Sequence, residues 1–288
     1  MCDEDIHQGN APAGKVNRRT FAALTAAAVG FAGRAYAQAT VTEKDVQVKT
    51  ADGVSDSVLF YPSGRGTWPA VLIWPDIGGL RPVFREMGKR LASQGYVVLV
   101  CNPFYRSVKA SEMAATFDFS DPATRTKLTG YRQAMPAAGI DSDSKAYIAF
   151  LDAQPQTDKK KKAGVQGYCM GGSLSVQTAA AVPDRIGAVG SFHGGNGLVV
   201  ANNPNSPHLM IGKTSAAYHF ATAQNDDQQQ PTVKDVLKTT LTETKRPGTV
   251  LVYAANHGWC VKGSSVYNEA EAEKAWAALT DLYKKNLV

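Results

Sequence analysis

The sequence predicts an α/β fold, a mostly parallel sheet with helices covering both faces. From residue 46 onward, short β-branched runs alternate with helical patterns. Several of the runs are continuously apolar, as strands buried on both faces must be. The chain of 288 residues, 44% apolar and 19% charged, is long enough for one large domain with a full core.

The runs set the elements in order. Val46-Gln47-Val48 and Val58-Leu59-Phe60 alternate with polar neighbours and open the sheet as an antiparallel pair. Ala70-Val71-Leu72-Ile73-Trp74 is the first doubly buried strand. Residues 82–93 follow as a helix, with Phe84, Met87, Gly88 and Leu91 on one stripe. Val97-Val98-Leu99-Val100-Cys101 is the next strand, stopped by Asn102-Pro103. Residues 104–140 mix Pro, Gly and polar residues with fragments of helical periodicity, which suits an excursion over the edge of a site. A helix over 141–151 takes Asp141 as its N-cap. Gly164-Val165-Gln166-Gly167 is a strand, and 172–181 is a helix of small apolar residues. Strands then fall at Ala188-Val189-Gly190-Ser191, Tyr218-His219-Phe220-Ala221 and Val250-Leu251-Val252-Tyr253, before a closing helix over 268–285. No internal repeat and no linker to a second domain interrupts residues 38–288.

Residues 1–37 read as an address. Asn17-Arg18-Arg19-Thr20-Phe21 pairs two arginines ahead of a weakly apolar stretch, and Ala35-Tyr36-Ala37 offers a signal peptidase its small residues. The stretch is too short to span a bilayer stably. The pattern resembles a twin-arginine signal, which implies the twin-arginine export machinery as a partner, release of the folded chain to the periplasm or medium, and no stable membrane insertion afterwards.

The net charge is +6, yet the basic residues are scattered and no stripe interleaves them with aromatics. The dense run Lys159-Lys160-Lys161-Lys162 suits a solvated loop, so nucleic acid is excluded as the main partner. Beyond the signal, Cys101, Cys169 and Cys260 remain, an odd number that leaves at least one free thiol. Cys101 and Cys260 follow strands far apart in the sheet, so all three are expected unpaired. No Cys or His spacing suggests a zinc site, and no cofactor is implied.

Gly167-Tyr168-Cys169-Met170-Gly171-Gly172 joins a strand to a helix, the context of the nucleophile elbow in the α/β-hydrolase fold. The turn is so tight that the flanking positions must lack side chains. The helix begins at once, and its positive N-terminus favours the ionised thiol of Cys169. Such a nucleophile needs a base, and the base needs an orienting acid, in the chain order nucleophile, acid, histidine. His257 follows the last strand and is the histidine that fits; His219 lies within a strand, where a satisfied core histidine is expected. The acid belongs to Gln224-Asn225-Asp226-Asp227. Asp226 is the first carboxylate after its strand and is preferred, with Asp227 one residue behind. His193-Gly194-Gly195 follows the nucleophile instead of preceding it, which suits pocket lining better than an oxyanion role. Two backbone N–H groups should form the oxyanion hole, those of Met170 and of Ile77 in the turn Pro75-Asp76-Ile77-Gly78-Gly79.

These motifs, with Ser93-Gln94-Gly95-Tyr96 and Cys101-Asn102-Pro103-Phe104-Tyr105, resemble the dienelactone hydrolase family across residues 46–287. The resemblance implies a Cys-His-Asp triad of Cys169, His257 and Asp226 that opens small-molecule lactones or esters through an acyl-enzyme, without metal or organic cofactor. It also places Asp76 where the family carries a glutamate that holds the resting thiol, one methylene longer. Arg125 matches a carboxylate-binding arginine, and Trp259 is the third candidate for gating or substrate contact. Lys262 stands near the place of the family's other arginine and lacks its bidentate fork. Acyl transfer on the same triad, and an exported binding protein retaining the fold, are the rival readings. The complete set of Cys169, Asp226 and His257 argues against the second.

Overall fold

Continuously apolar strands need cover on both faces, and here they have it. The structure, a computed structural model, describes residues 40–288; the expected signal segment, residues 1–37, lies outside them. The strands are β1 (Val41–Thr50), β2 (Gly53–Pro62), β3 (Ala70–Trp74), β4 (Val97–Val100), β5 (Ala163–Tyr168), β6 (Ile186–Phe192), β7 (Ala217–Ala223) and β8 (Gly248–Tyr253). Their spatial order is β1-β2-β4-β3-β5-β6-β7-β8. The pairings β1–β2 and β2–β4 are antiparallel, and all those from β4 to β8 are parallel.

The helices are α1 (Pro82–Ala92), α2 (Pro122–Gln133), α3 (Ala137–Asp152), α4 (Met170–Ala181), α5 (Pro207–Met210), α6 (Gln224–Gln229), α7 (Val233–Glu243) and α8 (Glu269–Asn286). Because strand side chains alternate, each strand feeds two cores. Leu72 and Trp74 of β3 belong to a core that also holds Tyr147 of α3, Leu174 of α4 and, farther along the sheet, Leu237 of α7. Val71 and Ile73 pack instead with Phe84 of α1 and with Leu279 and Tyr283 of α8. None of the helices described is long and apolar enough to cross a membrane.

Two elements differ from expectation. The helix α3 begins at Ala137 behind Pro136, so Asp141 is an exposed interior residue and not the N-cap. The fixed φ of Pro136 suits a helix entry and moves the start forward. The helix α7 is not anticipated, although its buried Val233, Leu237 and Leu241 recur every four residues between threonines and lysines.

The strand order reverses direction between β3 and β5. Chain from β3 proceeds outward to β4, whereas chain from β5 proceeds the other way to β8. Trp74 pairs with Gly167, so the turns leaving β3 and β5 lie side by side. In open α/β sheets, such a switch point at the carboxyl ends is where ligands bind.

The excursion between β4 and α3 passes over this edge and is anchored at its base by charge. Arg106 donates to Asp143 of α3 at 2.7 and 3.0 Å, and the Tyr105 hydroxyl donates to the same carboxylate at 2.8 Å. Asp143 is 1% exposed. Arg106→Ala would leave that buried carboxylate with Tyr105 as its remaining partner among the described residues. Breaking a buried pair from one side costs about 3 kcal/mol. Urea unfolding should show a midpoint lowered accordingly.

Candidate active site

The elbow forms because two positions lack side chains. Cys169 sits at φ 54°, ψ −118° between β5 and α4, a left-handed conformation that a side chain tolerates at a cost. A Cβ on Gly167 would lie 1.8 Å from the carbonyl oxygen of Gly171, and one on Gly171 would lie 2.4 Å from that of Trp74. Neither contact is possible, so glycine at both positions lets α4 start directly behind the thiol. Met170 is the first residue of α4, and its N–H has no hydrogen-bond acceptor among the described residues. The same holds for Ile77 in the turn after β3, where Gly78 donates to Asp76 Oδ1 at 2.8 Å. Both Met170 and Ile77 line the cavity above Cys169.

His257 leaves the loop after β8 and meets the segment after β7. Asp226 accepts from its Nδ1 at 2.8 and 3.0 Å. Asn225 Oδ1 accepts from the His257 N–H at 2.8 Å, and Gln224 N–H donates to the Ala255 carbonyl at 3.0 Å. Three consecutive residues of α6 therefore hold the histidine loop; of these Asn225 is not foreseen from the sequence. Asp227 points elsewhere and pairs with Lys234 at 2.6 Å. Cys169 and His257 line the same cavity. Burial pushes the His257 imidazole down, but the hydrogen bonds and negative charges of Asp226 and Cys169 outweigh it and hold it up at about 10.

His193 adds a second imidazole. It is fully buried at φ 39°, and its Nδ1 accepts from the Cys169 N–H at 3.0 Å, a bond shared with the Phe192 carbonyl. An accepting Nδ1 places the proton on Nε2, which has no partner among the described residues. Its ring centroid lies 4.9 Å from that of His257. Burial and the neighbouring His257 charge keep its affinity for a second proton well below the ordinary range. It lines the pocket, as the sequence suggests. His219 bonds Thr249 at 2.7 Å and Tyr253 at 3.0 Å as a satisfied core residue.

Three expected site residues take other places. Asp76 lines the cavity, but both its oxygens are engaged, by Arg81 on both sides and by Gly78 N–H, and it makes no bond to the thiol. Arg125 is exposed on α2, whose buried residue is Leu128, and it does not line the cavity. Trp259 is fully buried behind His193, at 5.2 Å between ring centroids, and stacks on Tyr253. Neither Arg125 nor Trp259 lines the cavity. Arg81, not foreseen from the sequence, is the buried arginine of the pocket; its signal is an acid five residues earlier across the turn.

The cavity measures about 610 Å³. Its walls come from the excursion, residues 115–120, and from the loop at 258–266. Among the described residues no three His, Cys, Asp or Glu side chains are grouped to hold a metal ion.

The sequence profile of the dienelactone hydrolase family matches residues 55–287. The chain belongs to this family. A carboxymethylenebutenolidase of Pseudomonas putida is 25% identical over 179 residues, 62% of this chain and 72% of that one. One from Rhodococcus opacus is 28% identical over 130 residues, spanning 45% of this chain and 46% of that one. Among solved structures, a dienelactone hydrolase-like promiscuous phosphotriesterase from metagenomic libraries superposes with a TM-score of 0.69 at 19% identity. That superposition covers 86% of this chain and 99% of the other. The fold is thus the α/β-hydrolase fold, and this dienelactone hydrolase family member is a hydrolase of the ester and lactone class.

The raised His257 value has a direct readout. Its ring should remain protonated from neutral pH upward and titrate near 10 in nuclear magnetic resonance. Because this lies above the ordinary 6.5, the pairing stabilises the fold in full below that value and loses its effect as pH rises through 10. Asp226→Asn removes one of the two charges and should move the midpoint down.

Proposed function

We propose that the chain cleaves a carboxylic ester or lactone through a thioester on Cys169, with His257 as proton carrier and Asp226 as its orienting acid. The Asp226–His257 hydrogen bond, with His257 and Cys169 lining one cavity and Cys169 raising the proton affinity of His257, carries this reading.

In this mechanism the Cys169 thiolate adds to the substrate carbonyl carbon. The oxygen gains negative charge and accepts from the N–H groups of Ile77 and Met170. The C–O bond then breaks, and the His257 imidazolium gives its proton to the leaving alkoxide. Thioester formation removes the thiolate charge that helps hold the proton on His257, so the imidazole is released as a base for the second half. It takes a proton from water, the resulting hydroxide adds to the thioester, and the thiolate departs. The net change is ester plus water to acid plus alcohol; with a lactone both groups stay on one molecule. His193, neutral beside His257, adds no competing positive charge throughout.

The twin-arginine export read from Arg18, Arg19 and Ala37 belongs to the same proposal, with release of the folded hydrolase outside the cytoplasm. The exported protein should begin at Gln38, as N-terminal sequencing would show; an intact Met1 on periplasmic material would count against it.

Cys169→Ala should abolish ester hydrolysis, and Cys169→Ser should leave a weak residue of it, since serine needs stronger activation. Asp226→Asn should lower kcat by several orders of magnitude, on the order of 10⁴ where comparable triads lose their acid. Asp227→Asn should lose Lys234 and little activity. Full turnover by Cys169→Ala, or the reverse ranking of the two aspartates, would overturn the assignment.

A further inference from the structure

The cavity carries little usable charge. Its ionisable lining consists of Cys169 and His257 at the reacting centre, the neutral His193 beside them, the Asp76–Arg81 pair, Asp118 and Lys262. Asp76 and Arg81 are bound two-pronged, with side chains 10% and 6% exposed, so each cancels the other. The Arg81 guanidinium is also sandwiched: its carbon lies 5.0 Å from the ring centroids of both Phe84 and Phe117. Asp118 and Lys262 are exposed, opposite in sign, and remain hydrated. Among the described residues that line the cavity, every buried cation is already paired, Arg81 with Asp76 and His257 with Asp226.

What remains is an apolar wall interrupted by the hydroxyls of Thr116, Ser120, Ser264 and Ser265. Phe117 lies so close over the turn after β3 that a Cβ on Gly78 would meet its ring at 2.2 Å. It therefore stands beside Ile77, where the substrate carbonyl would be held. Phe119 touches Phe117 edge-on at 6.5 Å and is 40% exposed, an aromatic face without further cover. Met170, Val261 and Val266 complete the apolar lining. A volume of about 610 Å³ also exceeds what a small lactone ring occupies and falls within the ~300–1,000 Å³ of pockets for larger ligands.

We propose that the site selects a neutral ester or lactone bearing an aromatic or branched apolar group, which packs against Phe117. A carboxylate at that position would leave water with no cation to meet it, and such desolvation is costly. This inference rests on the cysteine-hydrolase reading above. Phe117 is its specificity-determining residue.

The test compares three 4-nitrophenyl esters on the full chain: acetate, 3-phenylpropanoate, and 3-(4-carboxyphenyl)propanoate. The neutral phenylpropanoate should exceed its carboxylated twin in kcat/KM by about tenfold or more. It should also be preferred over acetate. Phe117→Ala should erase the preference over acetate through a raised KM, and Phe117→Leu, which keeps an apolar wall, should restore most of it. Equal or faster turnover of the carboxylated ester overturns the inference, as does a preference unchanged in folded Phe117→Ala or absent in the parent protein. Cys169→Ala separates the two levels. Hydrolysis that survives it defeats the mechanistic reading itself, whereas Cys169-dependent hydrolysis that favours the carboxylate defeats the specificity alone.

Discussion

Everything at this site depends on how closely two stretches of backbone can approach. With no side chain at Gly167 and Gly171, α4 rises directly from β5 and packs against the carbonyls at the end of β3. One close approach sets three positions. It places Cys169 at the strand end, sets Met170 at the start of α4 on the cavity lining, and brings the Ile77 turn alongside. The strained φ of Cys169 is the local cost, and the doubly buried strands on either side hold it in place.

The electrostatics follow from that placement. Burial lowers the proton affinity of His257, whereas Asp226 and Cys169 raise it and the neutral His193 adds no competing charge. His193 is kept neutral by burial, with its remaining N–H unpaired. A buried polar group without a partner ordinarily costs ~1–3 kcal/mol. The ring sits between Cys169, His257 and Trp259, and its Nδ1 accepts from the Cys169 N–H.

The sheet and the three residues of the proposed triad were legible because they are written in local signals. Continuous apolar runs mark β3 and β4, and the glycine spacing marks the elbow at Cys169. Asp226 is preferred over Asp227 because a strand end limits reach, and the neighbouring positions do face His257 and Lys234 respectively. What escaped depends on long-range packing. Nothing near Arg81 in sequence indicates that Phe84 and Phe117 will enclose it, and nothing near Asn225 indicates that it will hold the His257 backbone. Arg125 and Trp259 lie off the cavity for the matching reason. A position in the chain says little about which face of a helix or loop meets a cavity.

The excursion between β4 and α3 is tied down at its base, through Arg106 and Asp143, some distance along the chain from its aromatic tip. The reacting groups come from other turns, those after β5, β7 and β8. Sequence change at 115–120, away from Phe117 and its contacts with Gly78 and Arg81, would leave both the anchor and these turns in place. In evolutionary terms the tip is free to drift, and descendants of this chain can part company over diet long before they part company over reaction.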